Sequence, residues 1–470
     1  MRKDIIKNYF YSLGLNFFKL AAPVLVIPIV YREIRPYEMG LVNLTISIMT
    51  YFYIVGDLGT YIYGFREVSL FKKNKLYIST IFTEIFLLRA IVNTTIIISY
   101  IFYIYYLSEP VISKYYYYIA GIQLLSTYFN VEWMYEANEK FKFISLKTVV
   151  IRSAYIIVTI IFVKGPYAAT FYLISLSTFL LVNNLVSFCL LMKDFKWCFK
   201  KIKPFRHLKK MFIIFVMINW SMLYFQLDKL VLGKQDKIVE VGYYTLAERV
   251  ITLGGSALFS LIMVVTPRLG SFINLDLSHY KLLLNKVFNI ILAVLIPFTV
   301  FIFSLSPEIV LLMGGRNYYA AIEIMQVFVW YIAIYVILEM LKTNVLLLFQ
   351  KENIFFYAVI AGGLINIILK FSFFPMTDIE IVATTIFVSL LIIIFLFLYV
   401  KNYLEVTLLE SKHIKIFIAS VPLLFLYYIQ VQNIYYALFL KSVIFILYFI
   451  SFILIFDKSL LKLILRKQVK

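Results

Sequence analysis

Residues 381–400, IVATTIFVSLLIIIFLFLYV, run for twenty positions without a charged side chain. An α-helix rises 1.5 Å per residue, so this run reaches about 30 Å, the thickness of a bilayer's hydrocarbon core. Working outward, comparable apolar runs occupy residues 9–30, 39–63, 78–107, 111–135, 146–163 and 166–192. A second set occupies 212–233, 242–267, 287–313, 319–350 and 353–375, and two more close the chain at 414–431 and 435–456. Lipid cannot satisfy an open sheet edge, so each run is read as a helix. The chain is 63% hydrophobic and 15% charged, with mean hydropathy +0.91, too little polar surface for a soluble fold of 470 residues. The expected fold is an all-α polytopic membrane protein of about 14 transmembrane helices.

The formal charge of +20 suggests nucleic acid in a soluble protein. Here the cations sit between apolar runs, so membrane topology explains them and no nucleic acid partner is expected. With the N-terminus cytoplasmic, one side holds Arg66, Lys72, Lys73, Lys75, Lys140, Lys142, the cluster from Lys193 to Lys210, Lys281, Lys286, Lys412, Lys415 and the basic tail. The other side holds Arg32, Arg35, Lys114, Lys164, Lys234, Lys237 and Arg316. About thirty cations against about seven is a positive-inside bias that places both termini in the cytoplasm. The first apolar run lacks a small-residue cleavage site and reads as a spanning helix. Cys189 and Cys198 suggest neither a disulfide nor a metal site.

The basic linker at 193–211 separates an N-terminal lobe at 1–192 from a second lobe at 212–400. Residues 401–470 then add two helices and a basic tail. A faint repeat supports the division: Gly40 corresponds to Gly242, and at the same spacing Arg66-Glu67-Val68-Ser69 meets Arg268-Leu269-Gly270-Ser271. Two six-helix lobes in one orientation suit a rocking motion about a central cavity. No phosphate-binding G-x-x-x-x-G-K-[ST] loop is present. The histidines, His207, His279 and His413, all fall in loops, and the outer loops are short. These features favour a transporter over an enzyme.

Several blocks carry a family resemblance. They are Lys7-Asn8-Tyr9 through Pro28-Ile29-Val30-Tyr31-Arg32; Gly56-Asp57-Leu58-Gly59 with Gly64-Phe65-Arg66-Glu67; and Asn130-Val131-Glu132-Trp133-Met134-Tyr135 with the stretch from Glu139 to Ile144. Phe225-Gln226-Leu227-Asp228-Lys229-Leu230, Val241 to Ala247, and NVLLLFQKEN from Asn344 complete the set. Together they resemble the Wzx-type polysaccharide repeat-unit flippases of the multidrug/oligosaccharidyl-lipid/polysaccharide exporter superfamily. The resemblance implies a flippase of the bacterial cytoplasmic membrane, moving polyprenyl-pyrophosphate oligosaccharides outward by alternating access for capsule- or O-antigen-type synthesis. It also implies coupling to protons or sodium rather than to a cofactor, and work beside membrane lipids, a polysaccharide polymerase and chain-length machinery. A drug or metabolite exporter of the same superfamily is the near alternative, and a membrane-embedded polysaccharide polymerase the distant one.

Charges inside lipid are expensive and mark function by default. Cations outnumber acids within the spans, which suits a cavity that holds an anion such as pyrophosphate. The substrate-binding candidates are Lys19, Arg89, Arg152, Arg249 and Lys342, with an internal Glu339–Lys342 ion pair as the competing reading at three residues' separation. Asp57, Asp228, Glu248 and Glu339 are the ion-coupling candidates, and no metal ligand set is seen. Lys229, Lys370 and Lys441 lie near span ends, where a lysine snorkels to the interface.

Overall fold

The computed structural model describes residues 18, 22, 24–71, 74–106, 111–200, 202–273, 275–429 and 431–456. Every regular element among the described residues is a helix. Eleven of these helical stretches are long and apolar enough to cross a membrane, and His413–Tyr428 is a shorter apolar one. The sequence leads one to expect about fourteen. The run expected at 9–30 lies mainly outside the described residues, with helix at 24–33 (α1). The run at 111–135 divides into α5 (Val111–Tyr128) and α6 (Glu132–Ala137). The run at 414–431 becomes α17 (Ser411–Ser420) followed by a 3-10 turn, Val421–Tyr428, that opens with Pro422. Proline lacks the amide hydrogen that an α-helix uses, so the helix tightens there.

The chain forms two compact units, Met1–Gly242 and Tyr243–Lys470. In the first, α2 (Pro36–Asp57) packs against α5 and against α9 (Leu208–Lys234). It also meets α4 (Lys75–Tyr106). Around these lie α3 (Thr60–Leu70), α7 (Phe141–Phe162) and α8 (Ala168–Asp194). Thus α9, the first helix of the lobe expected at 212–400, packs on α2 and α3 in the first unit. α2 and α3 are parted at Leu58 and Gly59, both in the left-handed region (φ 50° and 67°). Glycine is required at the second position, because an added Cβ would lie 2.8 Å from the Met211 carbonyl oxygen of the incoming linker–α9 chain.

The two glycines that the repeat aligns meet each other's helices. A Cβ at Gly40 would sit 1.8 Å from the Ile238 carbonyl oxygen, at the start of α10 (Ile238–Phe272). A Cβ at Gly242 would sit 2.4 Å from the Pro36 carbonyl oxygen, at the start of α2. Each glycine faces the residue four positions before the other, so the crossing is reciprocal and both backbones need the missing side chain.

In the second unit, α11 (Leu277–Ser304) packs on α17 and the 3-10 turn after it. α16 (Asp378–Leu404) packs on α13 (Ala321–Phe328), α14 (Trp330–Leu341) and α15 (Glu352–Ser372). Its start is fixed by a capping box: the Glu380 amide donates to Thr377 Oγ1 at 3.2 Å, and the Thr377 amide to Glu380 Oε2 at 2.7 Å. Asp276 starts α11 the same way, accepting from the Ser278 and His279 amides at 3.0 and 3.1 Å. The last helix, α18 (Ile434–Phe456), packs on α12 (Ser306–Gly314).

Candidate functional site

The first unit holds a polar interior built around the break between α5 and α6. A helix end leaves backbone carbonyls without intrahelical partners. Arg89 on α4 answers one of them, donating to the Tyr128 carbonyl at 2.7 Å, and reaches the Asn130 carbonyl in the break beyond at 2.6 Å. The guanidinium therefore caps α5 from a neighbouring helix, with its charge at the negative end of the helix dipole. Asp57, the last residue of α2, is its electrostatic partner. Asn130 joins the two, donating from Nδ2 to Asp57 Oδ1 at 3.3 Å. Arg89 is only 2% exposed.

A second group adjoins on α6, α7 and α8. The Lys147 ammonium contacts Glu132 Oε1 and donates to Ser187 Oγ at 2.7 Å and the Asn183 carbonyl at 3.3 Å. Asn183 Nδ2 donates to Glu132 Oε1 at 3.0 Å, and Asn184 Nδ2 to the Ser126 carbonyl on α5 at 3.1 Å. Arg152 is half-buried, with Glu132 as its electrostatic partner. Asp57 and Glu132 thus face three cations, Arg89, Lys147 and Arg152, and Glu136, beside Tyr61, adds a third carboxylate to the group.

The second unit holds two close ion pairs. Lys342 Nζ lies 2.5 Å from Glu339 Oε1 and 5.7 Å from the Phe355 ring centroid. Lys342 opens a π-turn, Lys342–Leu346, in which Asn344 accepts from Thr266 Oγ1 at 2.6 Å and its carbonyl from the Tyr280 hydroxyl at 2.7 Å. Such single π-turns recur at functional positions. Lys441 lies 2.5 Å from Glu308 Oε1.

The nine sequence candidates divide between the units. Arg89 and Asp57 come together, Arg152 joins Glu132, and Lys342 meets Glu339. Asp228 is fully buried on α9 with Tyr51 as an electrostatic neighbour. On α10, Glu248 is half-buried and Arg249 exposed. Lys19 lies outside the described residues. Lys229, Lys370 and Lys441 are buried in protein rather than extended to an interface. Lys370 donates to Thr385 Oγ1 at 2.8 Å, a partner on the next helix that a span-by-span reading does not see.

Sequence reasoning passed over Glu132 and Lys147. Lys147 stands one residue inside the run expected at 146–163, the position of an interfacial lysine, and Glu132 stands three residues before the end of the run expected at 111–135. Their fifteen-residue separation carries no helical signal; the place of Glu132 within a family-like block is the only hint. Among the described residues no cluster of three or more His, Cys, Asp or Glu is placed to hold a metal ion.

No curated protein matches the chain in sequence at a significant level. Among solved structures, it is similar to the lipid II flippase MurJ in an inward closed conformation, with a TM-score of 0.75 and 20% identity over 96% of this chain and 100% of that one. An inward-facing multidrug resistance MATE transporter of the MOP superfamily gives 0.57 and 12% identity, covering 82% of this chain and 94% of that one. A eukaryotic MATE transporter, AtDTX14, gives 0.54 and 10%, covering 88% and 99%. These likenesses establish a multi-pass fold shared with flippases and exporters. The family model described as "Polysaccharide biosynthesis protein" matches residues 5–273, more than half of the chain. The chain belongs to the polysaccharide biosynthesis protein family of multi-pass, flippase-like membrane transporters.

Proposed function

We propose that the protein flips polyprenyl-pyrophosphate-linked oligosaccharide repeat units from the inner to the outer leaflet of a bacterial cytoplasmic membrane by alternating access. The observation that carries this reading is the family match combined with a fold shared end to end with a flippase of lipid II. The buried and half-buried cations of the first unit, Arg89, Lys147 and Arg152, support an anionic head group as cargo, since a buried cation attracts pyrophosphate most strongly where the dielectric is low. Arg152 in the first unit is assigned to head-group contact; Arg249, exposed in the second unit, and Lys19, carried from the sequence, are separate candidates for the same role. Arg89 holds α5, and Lys342 is paired with Glu339. Proton or sodium coupling belongs to the same proposal, with Asp57, Asp228 and Glu248 as its carboxylates. The cytoplasmic placement of both termini and of the 193–211 linker rests on the loop charges.

The test is reconstitution with a fluorescently labelled polyprenyl-pyrophosphate oligosaccharide, scored by its accessibility to a membrane-impermeant quencher. Protein-dependent transbilayer movement is expected, together with at least about tenfold loss in an Arg152→Ala, Arg249→Ala double variant of normal thermal stability. Failure to move the labelled lipid while exporting a cationic drug would transfer the protein to the multidrug branch of its superfamily.

A further inference from the structure

We infer that the described residues of the segment 195–210, which runs from the end of α8 into the first turn of α9, form a fixed strap that binds the head groups of anionic phospholipids at the bilayer surface. Three observations carry this.

The strap is held rather than tethered. The Glu84 carboxylate on α4, 1% exposed, accepts from the Lys203 amide at 2.6 Å and the Arg206 guanidinium at 2.6 Å, and lies 2.8 Å from His207 Nε2. His207 Nδ1 lies 2.6 Å from the Tyr63 hydroxyl, so both ring nitrogens are engaged. Further along α4, Thr83 Oγ1 accepts from the Cys198 amide at 3.2 Å. The Phe195 ring packs 4.4 Å from that of Phe82, and the Trp197 ring 5.0 Å from that of Phe86.

The face left exposed is both aromatic and basic. Phe199 and Phe205 are 62% and 63% exposed, and Trp197 shows 38% of its surface. Lys196, Lys200, Lys203 and Lys209 are exposed between them. No Asp or Glu occurs from 195 to 210. Water is a poor solvent for that many aromatic side chains, and hydrocarbon is a worse one for the lysines. The headgroup layer suits both, with rings at the acyl boundary and ammonium groups among anionic phosphates.

The position is fixed at that depth. The strap joins the membrane-crossing stretches Gly165–Lys193 and Pro204–Lys234 and is bound between its ends to a third, Lys75–Tyr106. A segment so held stays at a membrane surface, where anionic lipid is the charge-complementary occupant always present. The inference is independent of the cargo and of which face of the membrane the strap occupies.

Brominated lipids test it. The full-length protein is reconstituted in phosphatidylcholine vesicles carrying equal mole fractions of dibrominated phosphatidylglycerol or dibrominated phosphatidylcholine. The fluorescence of Trp197 is isolated by subtracting a Trp197→Phe variant. Quenching by both lipids is expected, at least about twofold stronger with phosphatidylglycerol, and the excess should vanish in a Lys196→Gln, Lys200→Gln, Lys203→Gln variant. If that variant does not fold, loss of the phosphatidylglycerol excess in wild-type protein at high salt serves instead, because screening weakens surface attraction. Absence of quenching, with water-like emission, overturns the inference and leaves the face for a soluble acidic partner. Equal quenching by the two lipids also overturns it, since insertion without charge recognition is not head-group binding.

Discussion

The interior of the first unit and that of the second bury charge in different ways. In the first, Arg89 spends its hydrogen bonds on backbone carbonyls, and Lys147 divides its own among a carboxylate, a hydroxyl and a carbonyl. In the second, Lys342–Glu339 and Lys441–Glu308 are close ion pairs at 2.5 Å, and the Lys441 ammonium adds only a 3.5 Å contact to the Ser304 carbonyl. A pair is a closed unit, and removing both members leaves little behind. A network is open, and removing any member leaves several polar groups unsatisfied in a medium where each is costly. The first unit is thus the one whose charges are tied into its architecture.

The largest effect that tests this contrast is expected at Arg89. Arg89→Ala removes the donor for two carbonyls and leaves Asp57 without its counter-charge, a loss of about 3–5 kcal/mol of the kind seen when buried ion pairs are broken. Thermal unfolding in detergent and protein level in the membrane would both fall. Arg89→Lys should restore only part, because an ammonium cannot reproduce the guanidinium fork. Unchanged unfolding in Arg89→Ala would show that the α5 end does not depend on this cap.

An intermediate effect separates pair from network. Lys441→Ala strands Glu308 and should destabilise, whereas Glu308→Leu with Lys441→Met should recover most of the loss, as apolar replacement of a complete buried pair does. The matching change in the first unit, Glu132→Leu with Lys147→Met, should recover less, because Ser187 and Asn183 each lose hydrogen bonds to the pair and Arg152 loses the Glu132 charge beside it. Equal recovery in both units, read as unfolding midpoints, would erase the distinction.

The smallest effect lies outside the membrane, at the cap of α11. Hydrogen bonds from Ser278 and His279 hold the Asp276 carboxyl below the usual carboxylate range. A group depressed in this way stabilises the fold above its ordinary pKa of about 3.9, and the contribution is lost as pH falls through the folded value. Amide exchange at residues 277–280, corrected for intrinsic pH dependence, should therefore be faster in Asp276→Ala than in wild type at neutral pH. The two should converge in strong acid. A difference that persists there would assign the cap to side-chain packing instead of charge.

The sequence by itself determined the class of fold, because span length and apolarity are local properties and the lipid solvent allows only one secondary structure to satisfy them. It also showed the family, through blocks such as Asn130–Tyr135, and the Gly40–Gly242 correspondence that the reciprocal crossing explains. Only the tertiary structure decided what each buried charge does. Arg89 meets carbonyls 39 and 41 residues away, Lys441 meets Glu308 across 133, and Glu84 meets His207 across 123. Hydropathy assigns a residue its depth along one helix, whereas a charge's role is set by which other helix stands beside it. That is a long-range choice made by packing, and no local pattern of residues encodes it.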